Sequence, residues 1–229
     1  MTFYIPESYK KLKELMYRRT PQYSGECYMF TCPSCGGKKS VAKLFMQPGS
    51  CNVWSDWLDE EFSYRVLSTL QRCPHCGGYY IVTHEGAPTE VAIATDDGKI
   101  ELEELEKFLC EERDLDNVEL ANLYMQYVHM YNDCFRRNPI DGIKATYNQS
   151  KLFSDAVLFL TERCRIPQIV IADLYRQAGM FRKCMEYAAD TVCRCKDEEK
   201  EILDKTRYLA IKGETEPFVM RSSEKSAIN

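Results

Sequence analysis

Cys32-Pro33-Ser34-Cys35-Gly36-Gly37 and Cys73-Pro74-His75-Cys76-Gly77-Gly78 are two copies of one six-residue plan, and their reading decides the fold. In each, a proline follows the first cysteine and two glycines follow the second. Two residues between the thiols let both sulfurs point at one centre. The proline sets φ at the entrance to the turn, and a glycine can take the positive φ that brings backbone N–H groups close to sulfur. Together the turns supply four thiols in two pairs, Cys32, Cys35, Cys73 and Cys76, which is the ligand set of a tetrahedral metal ion.

Other uses of four cysteines fit less well. Two disulfides, or four ordinary buried thiols, do not require the repeated proline and paired glycines. A redox dithiol needs one pair beside a βαβ pattern, and neither turn has that context. One zinc ion is expected, with iron in a rubredoxin-type site as the alternative. Four thiolates leave no open position, so the expected role is structural and no catalytic residue is assigned.

Composition sets wider bounds. A chain of 229 residues can make one large domain or two small ones. Apolar residues at 45% and charged residues at 28% are ordinary for a soluble globular protein. No apolar run is long enough for a transmembrane helix, and the N-terminal stretch MTFYIPESYKKLKELMYRR does not read as a secretory signal. Of 12 cysteines, eight stand outside the turns (Cys27, Cys51, Cys110, Cys134, Cys164, Cys184, Cys193, Cys195), scattered and often on apolar helix faces. Reduced thiols in a cytoplasm are expected. Residues 1–90 carry 10 Lys/Arg against 9 Asp/Glu, and residues 91–229 carry 20 against 26. Neither part is the basic surface that phosphate binding requires, which counts against nucleic acid.

The strand pattern surrounds the cysteine turns. Residues 27–31 and 40–46 flank the first, and residues 64–70 and 79–83 flank the second; all are rich in β-branched and aromatic side chains. Two hairpins gripping one ion form a unit with little core, so the metal should contribute much of its stability. Residues 6–19 read as an amphipathic helix packed on these hairpins. Between the hairpins, residues 48–62 hold both tryptophans, Trp54 and Trp57, among Asp56, Asp59, Glu60 and Glu61. The tryptophans are expected to cover the small core while the acids face water. Residues 85–98 carry Gly, Pro and Asp-Gly breakers and read as a linker, with one short strand at Val91-Ala-Ile-Ala.

From Lys99 the periodicity is helical. Residues 99–113, 117–137, 150–164 and 197–212 each show one apolar face. The acids of residues 96–116, ten against three bases, read as a solvated helix face. Pro167 stands where a first-turn proline belongs. Residues 167–195, with the run IVIADLYRQAGMFRKCMEYAADTV, read as two helices broken at Gly179. Residues 213–229 read as a polar, flexible tail. The expected fold is α+β: an antiparallel metal ribbon in residues 1–95, then an all-α domain in residues 96–212.

The helical stretch resembles a tetratricopeptide repeat, with Ala172, Gly179 and Ala188 at small positions, Tyr175 and Phe181 at aromatic ones, and Cys184 where that family prefers alanine. Taken whole, the two CPxCGG-like knuckles, the Trp-Ser-Asp segment and the LYRxAGxF unit resemble bacterial proteins without an assigned activity. Those proteins combine an N-terminal zinc ribbon with tetratricopeptide-like helices. The resemblance spans residues 27–212 and implies Cys32, Cys35, Cys73 and Cys76 as zinc ligands. Only one helical unit matches the repeat.

For function, the chain offers no Gly-rich phosphate loop, nucleophile elbow or HExxH. Of its three histidines, His75 lies inside the second turn and is expected to face solvent. His84 follows a strand, and His129 sits beside a helix's apolar face. Cys193-Arg-Cys195 at a helix end reads as one inward and one lateral cysteine. The expectation is a non-catalytic zinc-binding adaptor whose helical domain meets a protein or peptide partner, with Trp54, Trp57, Tyr124, Tyr127 and Tyr175 as candidate contacts. The alternative is a zinc-ribbon nucleic-acid-binding protein in transcription or RNA machinery, with Tyr79, Tyr80, Trp54 and Trp57 as stacking candidates.

Overall fold

The computed structural model describes residues 21–46, 53–56, 70–81, 90–93, 100–111, 114–137, 150–192 and 195–221. The helix expected at 6–19, residues 64–69, the breakers at 138–142, Trp57, His84 and Cys193 lie outside the described residues, as does the side chain of Trp54. The fold is α+β: antiparallel strands that carry the four-cysteine cluster, then six helices among the described residues. No helix among them is long and apolar enough to cross a membrane.

The chain divides into two compact units that are not successive in sequence. The first contains the strands β1 (Pro21–Thr31), β2 (Lys38–Met46), β4 (Leu70–Arg72), β5 (Tyr79–Ile81) and β6 (Glu90–Ile93). Strand β1 pairs antiparallel with β2 across the first cysteine turn, and the register slips between Tyr23 and Cys27. The short strand expected near Val91 is β6, which adds to the free edge of β2. Strand β4 pairs antiparallel with β5 across the second turn.

Helix α1 (Leu102–Cys110) belongs to the same unit and begins later than the periodicity from Lys99 implied. The cause is local. Glu101 and Glu104 form a reciprocal capping box, while Ile100 and Leu105, at the positions of a hydrophobic staple, are both buried. Glu104 then does a second job. Its Oε1 accepts from Arg72 Nη1 and Tyr79 OH, each at 3.1 Å, and the Tyr79 ring meets Phe108 edge-on. Part of the acidic face expected to be merely solvated therefore docks α1 on the second hairpin.

The second unit is helical. Helix α2 (Asn117–Arg137) starts in the first unit, capped by Asp116 Oδ1, which accepts from Val118 and Glu119 N–H, and enters the second at Tyr124. It is followed by α3 (Lys151–Arg163), α4 (Gln168–Gln177), α5 (Phe181–Val192) and α6 (Asp197–Lys212). Pro167 stands at the N-cap of α4, one residue before the first helical turn. Gly179 takes φ 69° and turns the chain from α4 into α5. The small residues expected where these helices touch are fully buried: Ala172 and Ala188, with Leu203 of α6, form a cluster that Ile169, Tyr187, Val192 and half-buried Cys195 surround. Across α2 and α3, Tyr124 meets Phe159 and Tyr131 meets Phe153 ring to ring.

Two expectations are corrected here. Residues 213–221 are not a loose tail. Thr215, Pro217 and Phe218 are buried in the helical unit, and β7 (Val219–Arg221) pairs with β3 (Val53–Trp54). Asp56 does not face water either; with Ser55 it is fully buried in that unit. The Trp-Ser-Asp segment thus belongs with the helices. Its polar side chains are buried because helical side chains satisfy them.

Candidate metal centre

Each cysteine turn is closed by the same two backbone hydrogen bonds. Cys32 N donates to Gly37 O and Gly36 N to Cys32 O, at 2.8 and 2.9 Å; Cys73 N donates to Gly78 O and Gly77 N to Cys73 O at the same distances. Gly36 and Gly77 both take positive φ, 69° and 72°, which explains the first glycine of each pair. The second glycine has a different reason. His75 packs over Gly37, and Ser34 is the nearest residue of the other turn to Gly78, so each knuckle covers the other at its close-approach position.

This arrangement brings the four sulfurs together, all within 4.8 Å of one another. Cys32 Sγ lies 3.9 Å from Cys76 Sγ, and Cys35 Sγ 3.7 Å from Cys73 Sγ. A tetrahedron of sulfurs about 2.3 Å from a central zinc ion has edges of about 3.8 Å, so the cluster fits one such ion. All four cysteines are free thiols. The first of each pair is buried and the second exposed, so the site has a protein side and a solvent side. Leu70, Gln71 and Tyr80 are buried on the hairpin that carries Cys73 and Cys76.

The electrostatics favour a cation. Backbone N–H groups of Cys35 and Ser34 hold the Cys32 thiol below its ordinary value against the opposing effect of burial. The N–H of Cys76, joined by that of His75, brings Cys73 down to about 6. At Cys35 the Gly37 N–H, 3.4 Å from sulfur, also lowers the value, but the neighbouring Cys76, burial and the other sulfurs outweigh it and push the thiol up to about 12. Early thiolates thus suppress the last ionisation. A divalent ion held by Cys32, Cys35, Cys73 and Cys76 would remove that repulsion and favour loss of the remaining protons. Burial, then the charges at Cys73 and Cys32, raise the Tyr80 phenol.

His75 is exposed, as expected, though engaged: its Nε2 lies 3.2 Å from the Lys38 carbonyl, which places the proton on that nitrogen. His129 is buried and donates from Nε2 to the Asp56 carbonyl at 3.0 Å. Among the candidate contact residues, Tyr127 and Tyr175 are corrected: both are buried and serve the helical core, while Tyr124 is half-buried. Cys164 and Cys184 are also buried, and burial pushes their thiols up to about 11 and 12.

Sequence reasoning missed a polar network inside the helical unit. Asp173 and Arg176 are both fully buried and form a two-point ion pair, Nε to Oδ1 at 2.6 Å and Nη2 to Oδ2 at 3.1 Å. Gln177 Nε2 donates to Asp173 Oδ2, and Asn132 Nδ2 donates to both Gln177 Oε1 and Asp56 Oδ2. One signal was available. In IVIADLYRQAG the apolar residues run around the whole helix, so its charged residues had to be buried too.

Comparison with family models, curated proteins and solved structures finds no match to this chain.

Proposed function

We propose that the chain is a non-catalytic zinc-binding adaptor, in which Cys32, Cys35, Cys73 and Cys76 hold one structural Zn²⁺ and the tetratricopeptide-like helical unit meets a protein or peptide partner. One observation carries the metal assignment: two turns closed by the same backbone hydrogen bonds present four sulfurs within 4.8 Å of one another. Four sulfurs complete the coordination shell, which supports a structural rather than a catalytic ion. An all-thiolate set selects zinc or iron over harder ions, and zinc is the closer fit to a closed structural site.

For the helical unit, the support is architectural. Helices α4 and α5, joined through Gly179 and touching at Ala172 and Ala188, have the small-residue contact of a tetratricopeptide pair, and α6 covers them. The acidic balance of the chain favours a protein partner over a polyanion.

Two measurements test the reading. Elemental analysis of reduced, purified protein should return one zinc per chain, lost in Cys32→Ser and Cys73→Ser. A pull-down from the source cell should retain a partner through the helical unit, while the chain passes through heparin at low salt. Tight heparin retention, or metal content unchanged in either variant, would overturn it.

A further inference from the structure

Residues 214–220 lie in the helical unit as a segment that bends at Glu216 and runs on as a strand from Val219, held mainly by its backbone. Arg176 Nη1 donates to Glu214 O at 2.6 Å and Nη2 to Glu216 O at 2.7 Å. Ser55 N donates to Phe218 O at 2.8 Å, and Phe218 N donates back to Ser55 Oγ at 3.0 Å. One side chain supplies an anchor. The Phe218 ring is buried, with Lys205 Nζ 4.3 Å and the Arg176 guanidinium 5.5 Å from its centroid. Thr215 and Pro217 turn inward with it, while Glu216 is exposed.

Every donor that grips this segment is itself fixed from elsewhere. Asp173 holds one edge of the Arg176 guanidinium and is held in turn by Gln177 and Thr206. Ser55 Oγ also accepts from Gln177 Nε2. The cradle is therefore preorganised by α4, α6 and β3. Two further Arg176 N–H groups, one on Nη1 and one on Nη2, meet the Glu214 and Glu216 carbonyls, and leaving such buried donors unmade is costly. Upstream, the segment hangs from Gly213, whose φ of 72° turns the chain out of α6.

We propose that this cradle is a peptide-recognition site filled in cis by residues 214–220, and that the partner it fits is a segment carrying a Pro–aromatic pair that runs on as a strand. Resting on the adaptor reading above, the inference deepens it. Recognition through backbone carbonyls and one aromatic pocket tolerates many sequences, as in strand-addition binding. A competing peptide must first displace the resident segment, so its apparent affinity falls by the fraction of time the cradle is empty.

The test uses the full, metal-loaded chain and a labelled peptide, Glu-Thr-Glu-Pro-Phe-Val-Met-Arg, with a Phe-to-Ala peptide as control. Phe218→Ala should bind the labelled peptide about tenfold more tightly than the wild type, and the control peptide should not bind. Absence of binding by a folded Phe218→Ala variant overturns the proposal. A second measurement needs no variant. In native-state hydrogen exchange, the Ser55 and Phe218 amides should open together and well before those of α4. Opening of these amides only with α4 overturns the proposal even if Phe218→Ala fails to fold. Neither result depends on a cellular partner, so a failed pull-down would leave both readouts intact.

Discussion

A Cβ on Gly37 would lie 2.5 Å from Cδ2 of His75, so the second knuckle's histidine occupies the space that any side chain at position 37 would need. The same Cβ would stand 3.2 Å from Cys35 Sγ. At Gly78 the corresponding neighbours, Cys76 Sγ and Ser34 Oγ, are 3.4 and 3.9 Å away. The two glycines look alike in sequence, yet their tolerance should differ. Gly37→Ala is expected to weaken metal retention about tenfold in a chelator competition, the scale of losing support around a ligand set. Gly78→Ala should cost clearly less, and His75→Ala should recover much of the Gly37→Ala loss. Equal losses at the two glycines would show that the histidine does not set the asymmetry.

Metal binding should release protons, but fewer than four per ion near neutral pH. Cys73, held at about 6 first by the Cys76 N–H, is largely thiolate before metal arrives, whereas Cys35, at about 12, must give up its proton. As pH falls, protons compete at every sulfur and affinity drops. Titration calorimetry in buffers of different ionisation enthalpy counts the protons directly. Four released would mean that the N–H groups do not preform any thiolate.

The legible parts were those with a short-range signature. Cysteine spacing located the four sulfurs, and apolar periodicity located α2 to α6 within a few residues, because both act over one turn of chain. The Ser55–Phe218 pairing was not legible, since its partners are 163 residues apart and polar backbone contacts leave no periodic trace. Reading residues 213–221 as part of a tail failed for the same reason. Its polarity was real, but Arg176, fully buried in the last turn of α4, donates to carbonyls that this segment supplies. Tyr127 and Tyr175 were read as possible contacts because an aromatic side chain in a core and one on a surface have the same local pattern.

Glu104 should make the docking of α1 acid-sensitive. The Glu101 N–H, then Tyr79 OH and Arg72, hold its carboxyl below the ordinary carboxylate value. A carboxylate lowered on folding contributes stability that is complete above its unfolded value and lost as pH falls through the lower folded one. Glu104→Gln keeps the shape and removes the charge. It should cost about 1 kcal/mol near neutrality, a figure already moderated by the half-exposed Arg72. The loss should shrink as the pH falls through the folded value. Urea denaturation at both ends of that range checks it; a loss independent of pH would show that the charge is not what Glu104 contributes.

Arg176→Met should be the most damaging single change in the helical unit. Both members of the Asp173–Arg176 pair are 0% exposed, so removing the cation leaves a carboxylate buried without its partner. Breaking such a pair costs about 3–5 kcal/mol, mostly the penalty of the charge left behind. Replacing both members, as Asp173→Leu with Arg176→Met, removes that stranded charge and should recover part of the loss. Recovery should stop short of the wild type, because the carbonyls of Glu214 and Glu216 still lose their donors and Gln177 and Thr206 lose their acceptor. Thermal unfolding of the two single variants and the double variant closes the cycle. Full recovery in the double variant would mean that the guanidinium serves Asp173 alone and that residues 214–220 owe it nothing.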